Sequence, residues 1–193
     1  MDVIIELNIF VLLIIMILIF LIIGNMEEKE TPRIKTNHKP MKFEYSQITK
    51  YIYIGTNMCC QAHLEPELKK RKIRAVVSLE KRKVDRPIGV DYYLWLPTKD
   101  RQPLTITKLR IGVALLKEAT KDKTKCYVHC QHGNGRAPTL VAAFLVSSGM
   151  DTEDAFALIK EKRPNIHPNR KQVAMVKKFE VMYRKYMAEL LFA

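Results

Sequence analysis

The stretch VHCQHGNGRAPTL, residues 128–140, predicts the end of a buried strand, a tight loop and the start of a helix. Apolar residues lead into it, and an apolar run follows at residues 140–146. Pro138 suits the first turn of that helix. In open α/β sheets, ligands bind at the carboxyl ends of strands, and helix N-termini attract anions. This junction therefore predicts an α/β fold with an anion site at the loop.

Segments typical of strands and helices alternate on both sides of this junction. Short runs rich in β-branched and aromatic residues predict strands at residues 51–55, 74–79, 90–96 and 126–130. Helices are predicted to begin at Pro66, Thr105, Pro138, Asp151 and Asn169. The alternation predicts an α/β domain with a mostly parallel central sheet flanked by helices.

The loop itself has the residues of an anion cradle. Gly133 and Gly135 allow successive backbone N–H groups to turn toward one point. Arg136 adds a planar fork that matches two phosphate oxygens. Among these groups we expect Cys130 to be a thiolate at neutral pH, and a thiolate beneath a bound phosphorus is a nucleophile. The residues therefore predict hydrolysis of a phosphate monoester through a phosphocysteine.

Composition and missing motifs exclude other classes of protein. The 193 residues are 48% hydrophobic, which suits one domain with a real core and a small appendage and excludes a disordered chain. The net charge of +13 favours anionic partners, either phosphorylated substrates, acidic membranes or nucleic acid. No recognition motif accompanies the charge, so no specific nucleic acid partner is expected. Neither the Gly-Lys-Ser/Thr of a nucleotide P-loop nor the Gly-x-Ser-x-Gly of a hydrolase elbow is present.

Four cysteines are present: Cys59, Cys60, Cys126 and Cys130. Their spacing is not that of a disulfide framework, and a reduced compartment is the simpler interpretation. Zinc bound by Cys126, His129, Cys130 and His132 is an alternative. It is weakened because Cys126 and Cys130 lie on one predicted strand, too far apart to share an ion easily. We therefore expect no metal and no cofactor. Oxidation could join Cys59 or Cys60 to Cys130 and so protect it.

The N-terminus carries an unbroken apolar run, residues 9–23. It predicts a transmembrane helix within a membrane anchor at residues 1–24, a polar linker at residues 25–41 and a catalytic domain at residues 42–193. Asp2 and the lack of a small-residue cleavage site disfavour a signal peptide. Lysine and arginine follow the run and none precedes it. The prediction is therefore a single-pass membrane protein whose domain faces the cytoplasm.

Cys130, five residues and then Arg136 resemble the CX5R signature of the protein tyrosine phosphatase superfamily. The fuller form HCxxGxxR, on a short body, is similar to the dual-specificity branch. The resemblance covers residues 45–185, with the segments YIYIG, AVVSL and YYLWLP and the loop that contains Asp100. It implies that Cys130 is the nucleophile, Arg136 the phosphate clamp and Asp100 the general acid. It also implies a phosphate-binding loop made of Gln131, His132, Gly133, Asn134, Gly135 and Arg136.

The resemblance gives supporting roles to His129, Ala137 and Thr139. His129 would orient the loop and tune the thiolate, while His132 would either contact substrate or stay solvated on the rim. The family usually has a hydroxyl residue directly after the arginine, where this chain has Ala137. That departure puts the rate of phosphoenzyme hydrolysis in doubt. Thr139, two residues on, cannot be assumed to replace the missing hydroxyl.

The expected substrate is a phosphoprotein, with phosphotyrosine and phosphoserine or phosphothreonine both open. The alternative is a phosphorylated lipid of the phosphatidylglycerophosphate or phosphoinositide type, which the basic charge and predicted anchor would suit. A non-catalytic phosphate-binding module is the third hypothesis, and the intact Cys130, Arg136 and Asp100 argue against it.

Overall fold

The structure is a computed structural model that describes residues 11–20, 39 and 42–191. The chain divides into two compact units, Met1–Lys35 and Thr36–Ala193. In the first unit, residues 11–20 are helical and are called α1. In the second unit the elements are β1 (Tyr45–Gln47), β2 (Ile52–Thr56), α2 (Gln61–Lys70), β3 (Ile73–Ser78), β4 (Tyr92–Trp95), α3 (Ile106–Lys121), β5 (Lys125–Cys130), α4 (Arg136–Ser147), α5 (Thr152–Lys162) and α6 (Arg170–Leu191).

The five strands form one sheet in the order β1-β2-β5-β3-β4. Only the β1–β2 pairing is antiparallel, and the other pairings are parallel. The register sets Thr56 beside Cys130 and Ser78 beside His129. Because parallel strands end at the same edge, the loops that follow β2, β3, β4 and β5 meet there. The mostly parallel sheet flanked by helices that the sequence predicts is confirmed.

Each face of the sheet has its own apolar cluster, since successive side chains of a strand point to opposite faces. On one face Ile54, Val77 and Val128 pack with α3 and α4 in the main core. On the other face Tyr53, Val76 and Tyr127 pack with Leu64 and Leu68 of α2. Full burial of an aliphatic side chain contributes roughly 1.5–3 kcal/mol to the free energy of folding, so both clusters stabilise the sheet.

Helix α4, which starts at the loop, lies in the middle of the main core. All twelve of its residues are buried, and it contacts α3, α5 and α6 as well as β2 and β5. A helix that is apolar all round is typical of such a central position. The loop therefore ends on an element that has little freedom to move.

Three predicted helix starts are confirmed by their caps. The Thr105 side chain accepts a hydrogen bond from the Lys108 N–H at 3.3 Å, at the start of α3. Asp151 accepts from the Asp154 N–H at 2.9 Å, at the start of α5. Asn169 precedes α6 and accepts from the Gln172 N–H at 3.0 Å. Each cap supplies an acceptor to a first-turn N–H group that has no partner within the helix.

Two helix starts and one strand differ from the sequence prediction. Helix α2 begins five residues before Pro66, which lies inside it, because burial of Leu64 and Leu68 on one face outweighs the proline's local preference. Helix α4 begins at Arg136 rather than Pro138. Strand β1 is not predicted from the sequence, because an edge strand of three residues is too short for an alternating pattern to show.

The predicted transmembrane helix is wrong. The localisation that was inferred from it, a single-pass membrane protein whose domain faces the cytoplasm, is therefore wrong as well. In residues 11–20, 39 and 42–191, no helix combines the length and apolar character needed to cross a membrane. Residues 1–10, 21–24 and nearly all of the predicted linker, residues 25–41, lie outside the described residues. The domain boundaries at residues 24 and 41 stay a prediction.

Candidate active site

The loop between β5 and α4 has every backbone carbonyl turned to a donor outside it. The Gln131 carbonyl accepts from the Asn57 N–H at 3.2 Å, and the Asn134 carbonyl accepts from the His167 N–H at 2.9 Å. Arg163 donates to the carbonyls of His132 and Gly133, both at 3.0 Å. Because a peptide's C=O and N–H point in opposite directions, carbonyls held outward direct the next N–H groups inward. The loop is thus a ring of donors of the kind that binds anions.

Gly133 is the loop residue that only glycine fits. Its φ is +67°, in the left-handed region, and an added Cβ would lie 2.6 Å from the Gly55 carbonyl oxygen and 2.8 Å from Arg163 Nη2. Gly55, at the end of β2, is equally constrained, since its Cβ would lie 2.2 Å from the Tyr127 hydroxyl oxygen. Strand β2 and the loop therefore approach each other through two glycines.

Cys130 is the last residue of β5 and stands at the entrance to the loop. It is buried, with 3% of its surface exposed, and Arg136, the first residue of α4, closes the loop on the other side. The N-terminus of α4 adds the partial positive charge of its free N–H groups to the same point. The structure thus places Cys130 and Arg136 at the two ends of the loop, both of them buried.

The Arg136 guanidinium is buried and anchored at its outer end. Its Nη1 donates to the carbonyls of Thr98 at 2.7 Å and Leu79 at 3.1 Å. Its Nη2 lies 3.5 Å from Glu80 Oε2. Its Nε is buried and has no hydrogen-bond partner within the part of the chain that the structure describes. A buried, charged N–H group without a partner can donate a hydrogen bond to an anionic ligand.

Asp100 lies in the loop after β4, with its carboxylate Oδ1 at 3.2 Å from Arg136 Nη2. More than half of its side chain, 57%, is exposed. The loop is fixed to the region before and within α6, because Asn169 donates to the Arg101 carbonyl at 2.7 Å and Gln172 to the Gln102 carbonyl at 3.3 Å. Asp100 is therefore held at the mouth of the site, open to solvent and close to the guanidinium.

Arg163, which the sequence analysis missed, holds the loop from behind. It is 7% exposed, lies directly after α5 and contacts His132, Gly133 and the Asn134 side chain. Burial lowers the pKa of its guanidinium, with the electrostatic pull of Tyr127 and Glu44 opposing that change. In the sequence it is one more basic residue at a helix end before Pro164, which usually indicates a solvated cap.

His129 lies on the α2 side of the sheet, away from Cys130. Its ring stacks on Tyr127 with centroids 5.4 Å apart, and its Nε2 lies 3.4 Å from Asp85 Oδ2. Ser78 donates a hydrogen bond to the same Asp85 oxygen at 2.8 Å. Burial lowers the pKa of His129, with Asp85 acting in the opposite direction. Asp85 and Ser78 therefore support the histidine that precedes the nucleophile, and neither is predicted as a site residue from the sequence.

The remaining predicted site residues fall into two groups. Gln131 and His132 are exposed on the rim of the loop, whereas Ala137 is buried in the first turn of α4. The Thr139 hydroxyl donates to the Gly135 carbonyl at 2.8 Å, one turn back along the helix. Its hydrogen is therefore engaged within the helix and not directed at the cysteine sulfur.

The zinc alternative drawn from the sequence does not assemble. Cys126 and Cys130 belong to the main core, whereas His129 stacks on Tyr127 on the opposite face of the sheet. Burial raises the pKa of Cys126 to about 12, so forming the thiolate that zinc requires is costly at that position.

Similarity to known proteins agrees with this geometry. Residues 52–182 match the family model described as dual specificity phosphatase, catalytic domain. Human protein tyrosine phosphatase type IVA 3 is 46% identical over 57 residues, which are 30% of this chain and 32% of that protein. The chain therefore spans about a third of the length of that relative.

Two of the solved structures with a similar fold illustrate the likeness. The crystal structure of PTPMT1 in complex with PI(5)P has a TM-score of 0.66 and 21% identity, and covers 74% of this chain and 98% of that chain. The crystal structure of human DUSP28 has a TM-score of 0.66 and 20% identity, and covers 73% of this chain and 99% of that chain. At these identities the likeness shows the fold.

Proposed function

Because this chain belongs to the family of dual-specificity phosphatase catalytic domains, we propose that it hydrolyses phosphate monoesters through a phosphocysteine on Cys130. The observation that carries the proposal is the loop of residues 131–135, whose carbonyls are all bound outward above a buried cysteine. Such a ring of N–H groups, closed by Arg136, neutralises a phosphate dianion beside a buried thiol and needs no cofactor.

In the first step the Cys130 thiolate attacks phosphorus while the bond from phosphorus to the leaving oxygen breaks. Arg136 and the loop N–H groups hold the three equatorial oxygens, where charge accumulates. Asp100 gives its proton to the leaving oxygen, which its exposed position at the mouth of the site allows. The products are an alcohol or phenol and a phosphocysteine.

In the second step water attacks the phosphocysteine. Asp100, now a carboxylate, takes a proton from the water, the phosphorus–sulfur bond breaks and the thiolate returns with inorganic phosphate. The sulfur leaves without help from a neighbouring hydroxyl, because residue 137 is alanine and the Thr139 hydroxyl is bound to Gly135.

A phosphoprotein is the first candidate substrate, with phosphotyrosine and phosphoserine or phosphothreonine both accepted. The family supports this assignment. So does the exposure of Gln131, His132 and Asp100, which leaves the rim open to the backbone of a peptide.

A phosphorylated lipid headgroup is the second candidate, favoured by one feature of the surface. Glu80, which contacts Arg136, begins a loop whose Lys81, Arg82 and Arg86 side chains are exposed. Basic side chains beside a phosphate site attract a polyanionic headgroup. A protein of the same fold, PTPMT1, has been crystallised in complex with PI(5)P.

Activity against matched substrates tests both parts of the proposal. We expect the full chain to release phosphate from a phosphotyrosine peptide and a phosphothreonine peptide faster than from a water-soluble, short-chain phosphoinositide. The opposite ranking would establish the lipid candidate. Cys130→Ser should abolish all three activities and still bind vanadate, since the loop and Arg136 remain and a serine hydroxyl is not ionised near pH 7.

The matched control is Cys126→Ser, the same substitution on the same strand outside the site. It should retain activity if circular dichroism shows it folded. Activity of Cys130→Ser close to that of the wild type would overturn the mechanism, whichever substrate is preferred.

A further inference from the structure

The corner between β2 and α2 brings two cysteines and a histidine together. Cys59 Sγ lies 3.0 Å from His63 Nδ1, and Cys60 Sγ lies 3.3 Å from the same nitrogen. Among the described residues, this is the group of three metal-binding side chains whose ligand atoms all lie within 4.8 Å of one another. None of the three takes part in the proposed phosphatase reaction.

The start of α2 creates this arrangement. Cys60 is the N-cap residue in extended conformation, with φ −159° and ψ 168°, and its side chain does not cap the helix. The His63 N–H donates to the Cys60 carbonyl at 3.3 Å, so the histidine lies one turn on. Helical side chains lean toward the N-terminus, which carries the imidazole back over both sulfurs. The three side chains are half-buried, open to an entering ion yet partly shielded from water.

We propose that Cys59, Cys60 and His63 form a zinc-binding site with two thiolates, one imidazole and an open fourth position. Zn²⁺ prefers tetrahedral sulfur and nitrogen ligands, with bonds of about 2.3 Å to sulfur and about 2.0 Å to nitrogen. Those bonds separate a coordinating sulfur from a coordinating nitrogen by about 3.6 Å. The observed 3.0 and 3.3 Å need to open by only a few tenths of an ångström, roughly, as both thiols lose their protons.

The charge of the complete site also favours zinc. Two thiolates and a neutral imidazole balance the charge of Zn²⁺, so no unpaired charge is left in a half-buried place. His63 binds through Nδ1 and presents its Nε2–H to other groups, which fixes the tautomer. The fourth position goes to water, as in sites with three protein ligands.

A zinc ion at this site would stabilise residues 57–60, a segment that is hydrogen-bonded to the phosphate-binding loop. The Asn57 N–H, two residues before Cys59, donates to the Gln131 carbonyl. Lys83 Nζ donates to the carbonyls of Met58 at 3.0 Å and Cys59 at 2.8 Å. Zinc would thus stabilise the corner that holds one end of the loop, without contacting the substrate.

Metal binding to the full chain tests the site directly. The reduced protein, freed of metal with a chelator and dialysed, should take up one Zn²⁺ per chain. Co²⁺ in its place should give the visible and near-ultraviolet absorption of a tetrahedral thiolate complex. Cys59→Ser, Cys60→Ser and His63→Ala should each weaken zinc binding more than about 100-fold, beyond what loss of a supporting contact costs. Cys130→Ser and His167→Ala, which change a cysteine and a histidine elsewhere, should bind as the wild type does.

Three outcomes would overturn the proposal. One is a wild-type protein that retains no zinc while its thiols titrate as reduced. Another is binding that Cys130→Ser abolishes and Cys60→Ser leaves intact, which would place the ion at the catalytic cysteine. The third is an unchanged thermal midpoint on adding zinc to the wild type, a readout that does not depend on whether any variant folds.

Discussion

Replacing Arg163 with methionine should weaken oxyanion binding although no group that would touch the ligand is removed. Methionine keeps an unbranched side chain of similar reach but donates no hydrogen bond. The His132 and Gly133 carbonyls then lose the donors that turn them outward. With those two peptides released, the loop N–H groups no longer converge before the ligand arrives, and binding has to order them.

The structure sets the size of the effect. Hydrogen bonds to a charged group contribute about 1.5–3 kcal/mol each, so the two bonds together contribute about 3–6 kcal/mol. Part of this is offset, because burial of the guanidinium is itself unfavourable, as the lowered pKa of Arg163 indicates. Taking about 1.5–3 kcal/mol as the net loss, vanadate should bind about tenfold to 100-fold more weakly, since 1.4 kcal/mol is a factor of ten.

Vanadate inhibition of aryl phosphate hydrolysis measures this loss, with thermal melting to separate it from global instability. Arg163→Lys keeps the charge but has a single donor nitrogen in place of the two that bind the loop, so its inhibition constant should fall between those of the wild type and Arg163→Met. Arg110→Met, at an exposed position on α3, is the matched control. The reasoning is refuted if Arg163→Met has the same vanadate inhibition constant and the same melting temperature as Arg110→Met. The two hydrogen bonds from Arg163 would then contribute nothing to the loop.

Three further predictions concern single residues of the site. Asp100→Asn should slow hydrolysis of alkyl phosphates by roughly 100-fold or more, and that of activated aryl phosphates far less, because only the alkyl leaving group needs a proton on its oxygen. Equal losses of the steady-state rate on both substrates would exclude Asp100 as the general acid. With no hydroxyl at residue 137 to assist the sulfur, breakdown of the phosphocysteine should be slower than its formation, so stopped flow with an aryl phosphate should show a burst of product. Ala137→Ser should raise the steady-state rate and shrink that burst; an unchanged trace would mean that another group already supports departure of the sulfur. Burial lowers the pKa of His129 below 6.5, so the unfolded chain takes up this proton first and stability is lost as the pH falls below about 6.5. The thermal midpoint should therefore drop between about pH 7.5 and 5.5, and less so in folded His129→Asn; an equal drop in both would assign the effect elsewhere.

The sequence was most informative where a local pattern has one physical cause. Strand β3 is confirmed from its β-branched run, and α3 from its Thr105 cap, since burial and capping act within a few residues. The junction of β5 with α4 was equally visible, because glycine, proline and an apolar run mark it locally. Local patterns failed at α2, where packing of Leu64 and Leu68 overrides Pro66.

The supporting parts of the site could not be predicted because they come from distant segments. Arg163 lies thirty residues after the loop carbonyl it binds, and Asp85 lies in a loop that resembles any other charged loop. The grouping of Cys59, Cys60 and His63 depends on where α2 starts, which the sequence analysis placed five residues too late. A membrane helix was expected from hydropathy alone, and the described residues do not bear it out.

The contact between Gly55 and Gly133 bears on how the sequence can drift. Each position is closed to any larger residue by a neighbour from another part of the chain: Tyr127 and the Glu44 carbonyl at Gly55, and the Gly55 carbonyl and Arg163 at Gly133. A side chain gained at either would displace backbone, which a compensating substitution nearby cannot restore. In a library screened only for folding, both positions should stay glycine, while the neighbouring rim positions 131 and 132 vary freely. Invariance at these two glycines would then record a backbone fit and carry no information about the substrate.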